Sequence, residues 1–138
     1  MSEIWTYNIS LYSNLLPNYN FYYSLPTNSN IGGVGIYVRH SFSVCERTDI
    51  GFDFVGNSQQ IESIFLELRS ESYRCLIGGV YRHPNNNIIN FSGLLEKILG
   101  SSPISSSPYD IFLLGDINLD FLSYESNFNI ANYIDYVI

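Results

Sequence analysis

The chain has 138 residues, of which 46% are apolar, so it is long and apolar enough to fold as one globular domain. Its formal net charge is −7 with only six lysines and arginines, which excludes the broad basic face on which many nucleic-acid-binding proteins depend. No apolar run approaches the roughly 20 residues of a membrane span, and no signal peptide opens the chain, so we predict an intracellular protein.

The first elements are predicted to be an irregular connection followed by one strand. Residues 6–30 are rich in Asn, Tyr and Ser, and Pro17 and Pro26 interrupt them. That composition is typical of a loop, with room for one short helical turn. Two glycines then lead into an apolar run that predicts a strand over 34–39.

The middle of the chain predicts a β-hairpin. Apolar and polar residues alternate over 61–68, and one set of alternate side chains should face a core. A short polar link at 69–72 joins this strand to a second one over 73–81, a spacing that is typical of a hairpin.

A helix is predicted after the hairpin. Apolar residues at positions 88, 91, 95 and 98 fall at helical spacing, which indicates a helix over 88–99. Asn86 or Asn87 is the expected N-cap, because an asparagine side chain can accept a hydrogen bond from a free backbone N–H of the first turn. Gly100 is the expected C-cap, because glycine readily adopts the backbone conformation that ends a helix.

The last predicted elements are a buried strand over 110–115, where an apolar run ends in a glycine, and a helix from about residue 127. The order of strands, helix and strand predicts an α/β domain. The four strands are expected to form one antiparallel-to-mixed sheet, with the 88–99 helix on its outer face.

Three polar clusters follow or precede apolar segments and carry the candidate chemistry. They lie at 2–5, at 81–85 and at 116–120. Because residues two apart on an extended chain point to the same side, Asp116 and Asn118 are expected to project into one pocket. If the strands are neighbours, all three clusters meet at one edge of the sheet.

If the three clusters meet at one edge of the sheet, their side chains would suit phosphate-ester chemistry. Glu3 and Asp116 could share a divalent cation, since Mg²⁺ prefers one or two carboxylates together with water and phosphate oxygens. Tyr81 could donate a hydrogen bond to a phosphate oxygen, and Asn118 could orient the phosphate or the attacking water. A purely structural interpretation also stays open, because Gly-Asp often forms only a turn and Asp-x-Asn often caps a helix.

Five motifs, taken in order, give the chain a family resemblance. They are Ser2-Glu3-Ile4-Trp5, the glycine-rich strand 32–39, the strand 61–68, Gly79-Val80-Tyr81-Arg82-His83-Pro84-Asn85 and Leu114-Gly115-Asp116-Ile117-Asn118-Leu119-Asp120. In this order the chain resembles the endonuclease/exonuclease/phosphatase superfamily, and within it the apurinic-type endonuclease domain of non-LTR retrotransposons. The resemblance implies part of a four-layer α/β/β/α sandwich.

The resemblance also implies an active site and a substrate. Glu3 would bind the metal ion, Mg²⁺ or Mn²⁺, and Tyr81 would contact the scissile phosphate. Asp116 would activate the water or stabilise the leaving group, and Asn118 would orient the phosphate. The implied activity is that of a metal-dependent DNA endonuclease, a phosphodiesterase within a retrotransposon-derived polyprotein that also carries a reverse transcriptase.

The chain departs from that family in two substitutions and two missing segments. His83 stands where proline is usual, and Ile117 stands where phenylalanine is usual. The family's first strand and its C-terminal Ser-Asp-His motif have no counterpart, so residues 1–138 are expected to be a partial domain with impaired activity. A catalytically dead remnant or interaction fragment, and a phosphatase of the same superfamily, are the alternatives.

Overall fold

The computed structural model of the chain describes residues 2–3, 8–26, 32–52, 61–100, 110–123 and 125–137. In chain order the elements are β1 (Ser2–Glu3), α1 (Ser10–Ser13), β2 (Tyr19–Ser24), β3 (Val34–Arg39), β4 (Ser43–Glu46), β5 (Ile61–Arg69), β6 (Arg74–Arg82), α2 (Ile88–Leu99), β7 (Asp110–Asp116), a 3₁₀ turn (Phe121–Ser123) and α3 (Phe128–Val137). Over these ranges, no helix has both the length and the apolar composition needed to cross a membrane.

The described strands form two sheets rather than one. The first sheet is antiparallel, with β3 between β1 and β2. The second sheet has the order β4-β5-β6-β7, with antiparallel pairs up to β6 and a parallel β6–β7 pair. The prediction that 34–39 joins the other strands was therefore wrong. β3 pairs instead with β2, a strand that the loop-like composition of 6–30 concealed.

The two sheets pack face to face around an apolar layer. Alternate residues of each strand point into this layer, as the pleat of a strand requires. The buried members are Val34, Ile36 and Val38 from the first sheet, and Ile64, Leu66, Leu68, Cys75 and Tyr81 from the second. Tyr81, a predicted site residue, therefore lies between the sheets.

The helices α2 and α3 cover the other face of the second sheet. Their buried side chains pack in a single cluster with those of the sheet and of the segment that follows β4. The cluster comprises Ile50, Phe52, Ile61, Phe65, Leu76, Val80, Ile88, Phe91, Leu95, Ile98 and Tyr133. This confirms the predicted 88–99 helix and its position on the outer face of the sheet.

Local side-chain and backbone groups fix where these helices begin and end. The Asn87 side chain accepts a hydrogen bond from the Ile89 backbone N–H, and the Gly100 N–H donates back to the Glu96 carbonyl. The Asn127 side chain accepts from the Asn129 backbone N–H, one residue before α3 begins. The predicted caps of α2 and the predicted start of α3 are confirmed.

The single turn α1 lies on the outer face of the first sheet. The Tyr12 ring stacks on Phe21 of β2 at 5.6 Å between centroids, and the Tyr37 hydroxyl donates to the Tyr12 carbonyl. The layers therefore run α1, first sheet, second sheet and the α2–α3 pair, which is the predicted α/β/β/α order.

Candidate active site

The parallel β6–β7 pair brings two predicted site residues side by side. Tyr81 and Asp116 are register partners near the carboxyl ends of these strands. On the other side of Tyr81, the register partner is Glu62 at the start of β5. We call this end of the second sheet, marked by Glu62, Tyr81 and Asp116, the site end. Ligands of open α/β sheets commonly bind beyond the carboxyl ends of parallel strands.

The chain turns sharply after Asp116. One oxygen of the exposed Asp116 carboxylate, Oδ1, accepts a hydrogen bond from the Asn118 backbone N–H at 2.8 Å. Asn118 has a φ of 48°, in the left-handed region that asparagine tolerates better than most residues. A turn therefore joins the two residues, in place of the continuing strand on which the predicted shared pocket rested.

Arg82 ties the end of β6 to this turn. Its buried guanidinium donates from Nε to the Ile117 carbonyl at 2.6 Å and from Nη2 to the Asn118 carbonyl at 2.7 Å. A third donor, Nη1, binds the Asn86 carbonyl. In return, the Asn118 amide donates to the Arg82 carbonyl at 2.7 Å. Asn118 is therefore held from both its backbone and its side chain.

The Arg82 guanidinium keeps its charge in this setting. Burial lowers the pKa of Arg82, while the electrostatic effects of Tyr133 and Asp116 raise it. An arginine stays protonated despite such a shift. The sequence reasoning assigned Arg82 no role, and the nearest signal was its position directly after Tyr81.

Glu62 and His83 form a second buried polar contact at the site end. Glu62 is 2% exposed and His83 is 8% exposed. The His83 Nε2 and Glu62 Oε1 atoms are 2.9 Å apart, and the His83 ring meets the Tyr81 ring edge-on with 4.9 Å between centroids. Sequence reasoning missed this pair. The available signals were a carboxylate on the apolar side of β5 and a histidine in the place of a proline.

The backbone of Glu3 is part of the first sheet. Glu3 pairs with Val34 of β3. Gly32, two residues earlier, has a φ of 107°, and a Cβ placed there would lie 3.1 Å from both carboxylate oxygens of Glu62. The β1–β3 pair therefore reaches the same end of the sandwich as Tyr81. Whether the Glu3 side chain converges on Asp116 stays a prediction.

In the described part of the chain, the site end offers few of the donor groups that a divalent ion requires. Over the described ranges, no three His, Cys, Asp or Glu side chains are close enough together to hold an ion. Mg²⁺, however, needs only one or two carboxylates besides water and phosphate oxygens. The exposed Asp116 carboxylate fits one of these places, and the assignment of Glu3 to another stays a prediction.

Comparison with known proteins gives matches at the level of structure. No family model and no curated protein matches the chain. The endonuclease domain of TRAS1, a telomere-specific non-LTR retrotransposon, matches with a TM-score of 0.61 and 10% identity, over 88% of this chain and 52% of that one.

Two structures of TDP2 also match. The D. rerio protein, complexed with a single-strand DNA product, has a TM-score of 0.60 and 13% identity, over 95% of this chain and 49% of that one. A truncated Caenorhabditis elegans protein has a TM-score of 0.59 and 19% identity, over 86% of this chain and 47% of that one. The chain thus spans about half the length of the structures that it matches.

Proposed function

We propose that this chain, which has the fold of the endonuclease/exonuclease/phosphatase superfamily, is a metal-dependent phosphodiesterase domain that cleaves DNA. The observation that carries the proposal is the pairing of Tyr81 with Asp116 at the ends of two parallel strands, with Asn118 fixed beside them. A shared fold does not establish function, so the proposal depends on these groups.

The choice of DNA as substrate rests on the matched structures. One is the endonuclease domain of a retrotransposon, and another holds a single-strand DNA product. A retrotransposon origin, in a polyprotein with a reverse transcriptase, belongs to the same proposal. With a net charge of −7, the chain has few cations for the DNA backbone, so a bound metal ion would have to offset part of the repulsion.

Each site residue has a chemical role in this proposal. Asp116 activates the attacking water or stabilises the leaving group, Tyr81 donates its hydroxyl hydrogen to a phosphate oxygen, and Asn118 orients the phosphate. Glu3 and Asp116 would hold Mg²⁺ or Mn²⁺, which supplies Lewis-acid stabilisation of charge on the phosphate when it is bound. The Arg82 guanidinium fixes the turn that presents Asn118.

The test is nicking of supercoiled plasmid in the presence of Mg²⁺. We expect the parent chain to nick, the Asp116→Ala variant to lose the activity by about 10²-fold or more, and EDTA to abolish it. Asp135→Ala, which removes an exposed carboxylate on α3, is the matched control and should nick like the parent. Equal activity in all three proteins, or none in the parent, would contradict the proposal.

A binding module without turnover is the second candidate, and one observation favours it. Phe112 and Leu114 on β7 are 44% and 50% exposed, although both are large and apolar. Exposed apolar side chains on a strand often mark an interaction surface. The nicking assay separates the two candidates, because a binding module would be as inactive as its Asp116→Ala variant.

A further inference from the structure

The Glu62 carboxylate is buried in a layer that is otherwise mostly apolar. On β5 it shares the inward side with Ile64 and Leu66, between the two sheets. Placing an ionisable group in such a layer costs free energy unless specific partners compensate for the lost water. The His83 Nε2 atom lies 2.9 Å from the Oε1 atom of this carboxylate. The polar contact therefore joins two defined atoms, Glu62 Oε1 and His83 Nε2.

His83 and Tyr81 lie two residues apart at the end of β6, so they fall on the same side of the strand. Their rings meet edge to face, with 4.9 Å between centroids and 79° between planes. This is a favoured geometry for aromatic pairs. Glu62 is the cross-strand partner of Tyr81. The Tyr81 ring thus contacts the imidazole, and Tyr81 pairs across the strands with Glu62, the residue that holds the imidazole.

A glycine of the first sheet lets the backbone approach this pair. A Cβ at Gly32 would lie 3.1 Å from the Glu62 carboxylate oxygens, and the φ of 107° disfavours any other residue there. The segment that leads into β3 therefore packs directly on Glu62. The pair connects Tyr81 with the sheet that also contains Glu3.

We propose that the buried Glu62–His83 pair positions Tyr81, and that both are positioning residues for the reaction in which Tyr81 contacts the phosphate. This inference rests on the proposed function. Glu62 orients the imidazole through Nε2, and contact with the imidazole fixes the plane of the Tyr81 ring. Burial alone does not require an ionisable pair, because apolar side chains of similar volume are often equally stable in such places.

The first test follows the Tyr81 ring without any substrate. The twelve tyrosines are labelled with ¹³C at Cζ, and the Tyr81 resonance is assigned by its loss in Tyr81→Phe. We expect this resonance to shift or broaden in His83→Ala and in Glu62→Leu. It should be retained in Glu62→Gln, whose amide oxygen can still accept from Nε2. An unchanged Tyr81 resonance in both disruptive variants would overturn the proposal.

Two further variants keep this test interpretable. His40→Ala removes the chain's other histidine, which is exposed, and should leave the Tyr81 resonance unchanged. Glu62→Leu keeps an apolar side chain of similar length in the layer, so it should fold even if His83→Ala does not. A Tyr81 resonance that moves equally in His40→Ala would also overturn the proposal.

The second test is a double-mutant cycle on the nicking reaction. We expect His83→Ala to lower kcat by between about 10- and 100-fold with little change in KM, as misplacement of a reacting group does. In a Tyr81→Phe background the same change should cost less than about twofold, since its effect passes through the tyrosine hydroxyl. Equal losses in both backgrounds would overturn the positioning role.

The two tests separate this inference from the proposed function. If the parent chain nicks no better than Asp116→Ala, the proposed function fails, and the Tyr81 resonance alone decides whether the pair positions the ring. If the parent nicks and the resonance is unaffected in the disruptive variants, the proposed function stands and the positioning role fails.

Discussion

Glu67 on β5 is a buried carboxylate that contacts three arginines. Its Oε1 lies 2.5 Å from Arg69 Nε and 2.6 Å from Arg74 Nη2, and its Oε2 lies 3.1 Å from Arg47 Nη1. Burial raises the pKa of this carboxyl, but the hydrogen bonds and charges of Arg69 and Arg74 outweigh it. The pKa falls from 4.5 to about 2.

A dependence of stability on pH follows from this shift. The folded-state pKa lies below the unfolded value, so the carboxylate stabilises the fold fully above about pH 4.5, and this contribution disappears as the pH falls towards 2. We expect the free energy of unfolding in urea to fall more steeply over that range in the parent than in Glu67→Gln. At pH 7, Glu67→Gln should be less stable by about 3 kcal/mol.

The matched control for this prediction is Glu71→Gln, an exposed carboxylate in the turn between β5 and β6. It should change the free energy of unfolding by no more than about 0.5 kcal/mol at pH 7. Parallel pH profiles for the parent and Glu67→Gln would contradict the assignment of the acid-sensitive range to Glu67.

Arg82 allows a second prediction at this scale. Its planar guanidinium contacts three backbone carbonyls at once, and a lysine ammonium cannot reproduce that arrangement. We expect Arg82→Lys to lower the free energy of unfolding by about 2 kcal/mol. It should also lower nicking, because Asn118 loses its support. Arg39→Lys, at an exposed position, is the control, and an Arg82→Lys protein as stable as the parent would contradict the prediction.

Sequence reasoning identified some of these residues and missed others for a physical reason. Asp116 and Asn118 could be proposed from the sequence because their spacing is local and follows an apolar run. The partners of Glu62 and Arg82 lie on other strands and in a distant loop, at positions that only the register of the sheet determines. Local patterns do not contain that information.

The same distinction applies to whole elements. The helix α2 begins and ends where its sequence predicts, because caps and helical spacing are properties of neighbouring residues. The strands β2 and β4 were not predicted. β2 lies in a segment with loop-like composition, and β4 is only four residues long. Each strand is defined by its pairing in the sheet, β2 with β3 and β4 with β5.

Replacing either of two glycines by alanine is expected to change the free energy of unfolding, in opposite directions. A Cβ on Gly115 would lie 1.8 Å from the Val80 carbonyl oxygen, a backbone atom that cannot move aside without separating β7 from β6. Gly115→Ala should therefore cost about 3 kcal/mol of unfolding free energy. A Cβ on Gly93 in α2 would have no neighbour within 4 Å, and Gly93→Ala should stabilise the protein by about 0.5–1 kcal/mol.

Urea denaturation of the two alanine variants under one set of conditions is the measurement. Gly115→Ala should lose plasmid nicking, since Asp116 follows directly, whereas Gly93→Ala should keep it. A Gly115→Ala protein of parental stability would show that the close approach of β6 and β7 is not required.

On the scale of the whole molecule, the two sheets form one body through side chains that alternate into the shared layer. The sequence predicted an α/β domain and, through the resemblance, the four-layer order, and both are confirmed. The residues' own patterns predicted a single sheet. Alternation tells which side of a strand is buried but not which sheet a strand joins.

The edge strand β7 gives a prediction about the whole molecule in solution. Among the described strands it pairs with β6 alone, and Phe112 and Leu114 are exposed on it. Such an edge favours association between copies. We expect light scattering to show concentration-dependent association of the parent, which Leu114→Lys reduces. Leu122→Lys, at an almost fully exposed position in the 3₁₀ turn, should have little effect, and equal reduction by both would argue against β7 as the contact.

The connection from β6 through α2 to β7 also predicts the order in which contacts form during folding. The β5–β6 hairpin joins strands that are close in sequence, whereas Tyr81 meets Asp116 only after α2 and the following residues have been traversed. Contacts between distant residues generally form later in folding. A chain emerging from the ribosome would thus bring Tyr81 and Asp116 together last. Pulse-labelled hydrogen exchange should protect β5 and β6 amides before those of β7, and simultaneous protection would refute this order.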